Sequence, residues 1–164
     1  MELQRQISRK LHAEHVAIID LLGRFARALE RLGAGPPAAD DATWRVLLPQ
    51  VGTALEYEIT RHFELEETEL FPRLHERGEG ELAELLFEDH EVIRGVTRPL
   101  LGLVAQAQAG TLEAAGWRTL KALGLELADR LGSHAEKEQG ALVPLVDEML
   151  DEATDQELWT QYTS

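Results

Sequence analysis

Apolar residues recur every three or four positions through most of the chain, and no stretch of useful length alternates as a half-buried strand would. The pattern predicts four long helices. The first spans about Leu3 to Leu32, with Ile7, Leu11, Ile18, Leu22, Phe25, Leu29 and Leu32 along one seam, and Gly33, Gly35, Pro36 and Pro37 stop it. Asp40, Asp41 and Thr43 offer N-caps for a second helix. It carries Leu48, Val51, Leu55 and Ile59 on one side and runs to about Arg77, where Gly78 and Gly80 end it. Pro49 falls in its first turns at little cost, whereas Pro72 should kink its last turns. A third helix spans about Glu81 to Ala109, bent at Pro99, with Leu82, Leu86, Ile93, Val96, Leu100 and Val104 inward. A fourth runs from about Leu112 to Leu150, kinked near Pro144, with Leu120, Leu123, Leu127 and Leu131 inward. Thr154 and Glu157 form a capping-box pattern, which predicts a short last helix carrying Trp159. Short connections between long amphipathic helices predict an all-α, up-down-up-down four-helix bundle. Three-helix or irregular packing is the competing architecture.

The chain also repeats itself. His62-Phe63-Glu64-Leu65-Glu66, then Leu70, Pro72 and Leu74, matches His134-Ala135-Glu136-Lys137-Glu138, then Leu142, Pro144 and Val146, at an offset of 72. Leu11, Glu14 and His15 match Leu86, Asp89 and His90 at an offset of 75. The repeating unit is a helix pair. His15 and His90 occupy equivalent seam positions, where two ring nitrogens must find partners away from water. His62 and Glu66 are four apart and share a helix face, as do His134 and Glu138. Each pair alone is more often a solvated salt bridge, and a lone seam histidine is more often a core residue bonded to a neighbour. Together they supply four imidazoles and two carboxylates converging inside a bundle, the construction of a dinuclear metal site in which carboxylates bridge. The other two histidines are expected outside it: His12 at the rim or behind the ligands, His75 in solvent.

Composition narrows the chemistry further. The chain has 164 residues, a length suited to one domain. It contains no cysteine, so disulfides, thiolate ligands and iron–sulfur clusters are excluded and metal must be held by histidine and carboxylate. The formal net charge of −14 argues against nucleic acid and anionic membranes as partners. No apolar run approaches a membrane span and the first residues lack a signal-peptide pattern, so a cytoplasmic location is expected. No phosphate-binding glycine loop or nucleophile elbow competes with the metal reading, and no catalytic side chain is assigned.

The motifs His15, His62-x-x-x-Glu66 before Leu70-Phe71-Pro72, His90, and His134-x-x-x-Glu138 before Leu142-Val143-Pro144-Leu145 resemble the hemerythrin-like, or HHE cation-binding, family. The resemblance covers about residues 5–150 and makes the whole of 1–164 a single such domain. It implies a non-haem di-iron centre. His15 and His62 would serve one iron, His90 and His134 the other, and Glu66 and Glu138 would bridge. The choice of iron comes from the resemblance, since the ligand set also suits Zn or Mn. Two departures separate the chain from the oxygen-carrying hemerythrins of marine invertebrates. Arg94 stands where those have a further histidine, and the last helix carries H-x-x-x-E in place of H-x-x-x-x-D. Both features resemble the iron-sensing domain of an F-box ubiquitin-ligase subunit and many bacterial members.

The resemblance implies a protein that binds or senses O2 or related small oxidants, or handles iron. The alternative is a di-iron enzyme acting on peroxide or NO, and a bundle without metal is the third reading. No protein partner is legible. Three residues are candidates behind the ligands. Arg94, one turn after His90, either faces a bridging carboxylate or an anionic ligand, or pairs with Glu91 or a neighbouring helix. Glu58 and Arg130, repeat-related and opposite in charge, are expected to pair beneath the cluster, with Glu58 a candidate acceptor for the outer N–H of His62. The acidic run Glu64 to Glu69, Glu66 apart, is read as a solvated face. Tyr57, Trp44 and Trp117 are read as packing residues.

Overall fold

A computed structural model describes residues 2–164, and these contain helices and no strand. Helix α1 is Gln6–Arg31. Helix α2 covers 42–76 without interruption, but its backbone changes pitch. An α-helical part, Ala42–Tyr57, gives way to a π-helical turn at Glu58–His62 and a second at Glu66–Leu70, before α-helix resumes at Phe71–Glu76. Helices α3 (Gly80–Gln108), α4 (Ala114–Met149) and α5 (Glu152–Thr163) follow.

The helix ends follow the chemistry of their residues. Asp41 caps α2 by accepting the Thr43 N–H at 2.9 Å. Gly78, at φ +86°, takes the left-handed conformation that breaks the chain between α2 and α3, while Gly80 already belongs to α3. The expected capping box on the last helix is corrected. Asp151 is the cap, accepting the Thr154 N–H at 2.7 Å, because Thr154 already lies inside α5. Pro72 sits at the start of the α-helical segment that follows the second π turn. Its missing N–H thus falls at a change of helical pitch. Pro144, its counterpart in the repeat, lies inside unbroken α-helix.

The four long helices form a bundle in which α1 packs on α2 and α4, and α3 packs on α2 and α4. Gly124 permits a close approach of α1 side chains to α4: a Cβ there would stand 2.6 Å from the Leu29 Cδ1 and 3.0 Å from the Phe25 ring. Two apolar clusters fill the interior. One gathers Phe25, Leu29, Leu55, Phe63, Leu100 and Leu120. The other gathers Ile7, Leu11, Leu70, Leu74, Leu86 and Leu142. Each such side chain contributes about 1.5–3 kcal/mol by leaving water. Helix α5 lies against α1 and closes the second cluster with Leu158 and Tyr162. It also satisfies the start of α1, whose Gln6 and Ile7 N–H groups both donate to the buried Asp155 carboxylate at 2.9 Å.

Candidate metal centre

Along α1 and α3 the seam residues on either side of His15 and His90 belong to different clusters: Leu11 and Leu86 to one, Ile18 and Ile93 to the other. The histidines therefore fall in a polar layer between the clusters. His15, His62, Glu66, His90, His134 and Glu138 are all buried.

In that layer the carboxylates divide their oxygens between two halves. Glu66 presents Oε2 to His62 Nε2 at 3.3 Å and Oε1 to His90 Nε2 at 3.2 Å. Glu138 presents Oε1 to His15 Nε2 at 3.1 Å and to His62 Nε2 at 3.8 Å. Its Oε2 lies 3.2 Å from His134 Nε2 and 3.5 Å from His90 Nε2. Two groups of four residues result: His15, His62, Glu66 and Glu138, and Glu66, His90, His134 and Glu138. Within each group one atom from every residue lies within 4.8 Å of the others.

The unmet bonding of this layer tests whether an ion fits. The four Nε2 atoms and four carboxylate oxygens make eight candidate donors to metal. His62 Nε2, His90 Nε2, His134 Nε2, both oxygens of Glu66 and Oε2 of Glu138 are buried without a hydrogen-bond partner among the described residues. Six of the eight are thus orphaned, which is costly in an apolar interior. Imidazole and carboxylate are donors suited to first-row divalent ions, so the residues fit a metal.

Every ring is held from behind. The Nδ1–H of His62 donates to Glu14 Oε1 at 2.9 Å, and that of His134 to Asp89 Oδ2 at 3.0 Å. The Nδ1–H of His90 donates to Glu67 Oε2 at 2.6 Å, and that of His15 to Gln139 Oε1 at 3.0 Å. These bonds fix the tautomer that leaves Nε2 free to bind, the usual support of a metal-binding histidine. The supports follow the repeat. Glu14 and Asp89 precede the histidines of α1 and α3 and hold those of α2 and α4. Glu67 and Gln139 follow the carboxylates of α2 and α4 and hold the histidines of α1 and α3. Tyr57 and Tyr162 both donate to Glu14, at 2.6 and 2.7 Å, so Tyr57 is more than packing. Lys137 holds Asp89 at 2.7 Å.

The same crowding sets the charges. Burial pushes the His90 imidazolium toward losing its proton, but the carboxylates of Glu138, Glu66 and Glu67 beside it win and raise it to about 10. His62 is also burdened by burial, yet Glu58 and Glu66 hold it well above the usual imidazole range. Burial likewise opposes ionisation of Glu138, and the neighbouring histidines, His134 first, overcome it and keep its carboxyl well below the usual range. Glu58 goes the other way: burial pushes it up to about 7, with only partial relief from His62.

Three sequence expectations are corrected. Glu58 and Arg130 do not pair. Arg130 is half exposed at the groove between α3 and α4 and bonds Glu126 at 2.9 Å, whereas Glu58 is 3% exposed at the groove between α1 and α2. Nor does Glu58 take the outer N–H of His62. Glu14 does, and Glu58 Oε1 stands 3.8 Å from the inner Nε2. Glu67 is not part of a solvated face, since His90 and Arg94 both bond it. Arg94 makes its ion pairs with Glu67 at 2.8 Å and Glu91 at 3.1 Å, and its guanidinium lies over the Phe63 ring. It thus meets the cluster only through Glu67 and His90. Phe63 in turn stacks on His90 with 3.7 Å between ring centres. His12 and His75 are both exposed, away from the layer.

A groove of about 670 Å³ between α1 and α2, walled by Ala17, Ile18, Leu21 and Tyr57, reaches Glu14 and Glu58. Its repeat-related counterpart between α3 and α4, about 230 Å³, reaches His134 past Asp89, Arg130 and Lys137.

A helical bundle with a buried layer of four histidines and two carboxylates is compatible with metal binding. The particular family follows from the sequence: residues 6–155 match the hemerythrin HHE cation-binding domain, and the chain belongs to that family. No curated protein matches the chain. Among the described residues no helix is long and apolar enough to cross a membrane.

Proposed function

We propose that the chain is a single up-down-up-down hemerythrin-like domain holding two iron ions, with which O2 or a related small oxidant or anion interacts. His15 and His62 would hold one ion, His90 and His134 the other, and Glu66 and Glu138 would span both. The observation that carries this reading is the division of each carboxylate, one oxygen toward each histidine pair, in a layer of otherwise orphaned donors. Iron is the metal of choice through family membership; Zn or Mn would be substitutes. When bound, a di-iron pair supplies reversible electron transfer to or from a small ligand. The chain's own residues do the rest. Glu14, Glu67, Asp89 and Gln139 orient the imidazoles. The two apolar clusters keep bulk water from the layer. A net charge of −14 supports the absence of a nucleic-acid or anionic-membrane partner, and a cytoplasmic site of action is the matching expectation.

Anaerobic loading with Fe(II), followed by optical spectroscopy under O2 and then H2O2, tests the reading. A stable oxygen-dependent band supports binding or sensing. Steady peroxide turnover assigns an enzyme instead. No iron bound by the folded chain rejects the metal centre.

A further inference from the structure

The two halves of the layer are not equal, and the inequality lies in Glu58. Its carboxylate is 3% exposed and makes no ion pair with a lysine or arginine among the described residues. Its Oε1 lies 3.8 Å from His62 Nε2, the same distance as the Glu138 oxygen that faces that nitrogen. The first π turn begins at Glu58 and ends at His62, so the backbone departs from α-helical pitch over the residues that set these two side chains against each other. In the other half the repeat places Arg130 at the corresponding position, where it is half exposed and bound to Glu126. A buried carboxylate that leans on an imidazole 3.8 Å away, with no lysine or arginine beside it, is poorly compensated, and it becomes favourable when a metal cation stands beside it.

We propose that Glu58 is a seventh ligand, specific to the ion held by His15 and His62, so that the two metal positions are chemically unequal. This rests on the two-metal reading above. Four donors leave an ion of octahedral preference short of a full shell. Glu58 supplies one of the missing donors in its own half and places a third negative charge there. The half of His90 and His134 has no such residue and keeps its open positions for an outside ligand, beside the polar groove lined by Asp89 and Lys137.

The experiment is anaerobic Fe(II) titration by calorimetry with Mössbauer spectra of the iron-57 form, on the wild type, Glu58→Gln, Glu58→Asp and Arg130→Ala. The wild type should show two binding steps and two unequal iron environments. Glu58→Gln should weaken one step by at least about tenfold, the scale on which even supporting groups change metal affinity, while the other step stays and the two environments converge. Glu58→Asp should restore part of the lost affinity, and Arg130→Ala should change neither step. The metal-free Glu58→Gln protein should melt no lower than the wild type, because a neutral amide replaces a buried carboxylate that only a distant imidazole compensates. Two unchanged steps in Glu58→Gln would overturn the ligand role while leaving the two-metal reading intact. Equal weakening of both steps would reduce Glu58 to a packing residue. A wild type that binds no iron would overturn both readings.

Discussion

The helix pair α1 and α2 and the helix pair α3 and α4 carry the same ligand pattern in different surroundings. Each pair contributes two histidines and one carboxylate that faces both halves, and each histidine is braced through Nδ1. Three braces are carboxylates, whereas His15 leans on the amide of Gln139. In the first pair the α2 ligands sit in π turns, and in the second the α4 ligands sit in regular α-helix. The first pair buries Glu58; the second turns Arg130 outward. A duplicated scaffold thus preserves the inward histidines and carboxylates and varies what stands beside them. The two carboxylates face both halves, whereas each histidine and each neighbour faces one.

The largest effect that would break this picture is loss of a shared ligand. Glu66→Ala or Glu138→Ala should abolish binding of both ions, because each carboxylate serves both histidine pairs. His15→Ala or His134→Ala should leave about one ion of the two that a bridged centre holds. Elemental analysis after iron loading separates these cases, and a single ion surviving in Glu138→Ala would mean that the halves act independently.

Next is the metal itself. Binding to the folded chain alone should stabilise it by about 4 kcal/mol at a free metal concentration roughly a thousand times Kd. For a domain of this size that is roughly 8–16 °C in Tm. Equal melting of the metal-free and loaded forms would contradict a site built from orphaned buried donors.

The braces sharpen the comparison at smaller scale. Glu67→Ala should weaken the His90 and His134 ion by about 10–100-fold. Gln139→Ala should cost the other ion less, since a neutral acceptor is a weaker support than a carboxylate. Equal losses would mean that the charge of the brace is immaterial.

Proton dependence should run in opposite directions with and without metal. His90 is raised to about 10, so its contribution to the metal-free fold is complete below the ordinary imidazole value of about 6.5 and is lost as pH rises toward 10. Glu58, raised to about 7, adds to the same trend: the fold favours its neutral form, so stability falls as pH climbs from the ordinary carboxyl value to 7. Metal affinity should increase over the same range, because the imidazoles bind only after losing their protons. Chemical denaturation and calorimetry between pH 5 and pH 9 would measure both slopes; metal-free stability that rises with pH would contradict this account.

The smallest effect is expected at Arg94. Its bonds to Glu67 and Glu91 lie outside the ligand layer. Arg94→Ala should leave the azide affinity of the iron form unchanged, its cost falling on the fold through the loss of a largely buried ion pair with Glu67. A tenfold loss of azide affinity would place the guanidinium at the bound anion.

Much of this was legible before any coordinates. The three- and four-residue apolar period marked the helices, since a helix that packs on one side must repeat its apolar face at that interval. The offsets of 72 and 75 singled out four histidines and two glutamates, because a duplicated helix pair repeats its inward positions. The same offsets also aligned Glu14 with Asp89 and Glu67 with Gln139. The bracing role of these residues was not visible, since it depends on reaching across to a different helix. Tyr162 illustrates the point: it meets Glu14 only because α5 folds back over α1.

Local chemistry therefore determined the helices, most of their ends and the inventory of candidate ligands. Tertiary structure decided which oxygen of each carboxylate faces which half, which residue holds each Nδ1, and where Glu58 and Arg130 point. Sequence offset gave those two residues equivalent places and opposite charges, which suggested a pair. Packing separated them, because the wall between α1 and α2 is apolar and buries Glu58, while the groove between α3 and α4 is polar and lets a guanidinium reach water. Periodicity reports which side of a helix is inward. The direction of a buried charge is set by the desolvation and partners that several helices supply together.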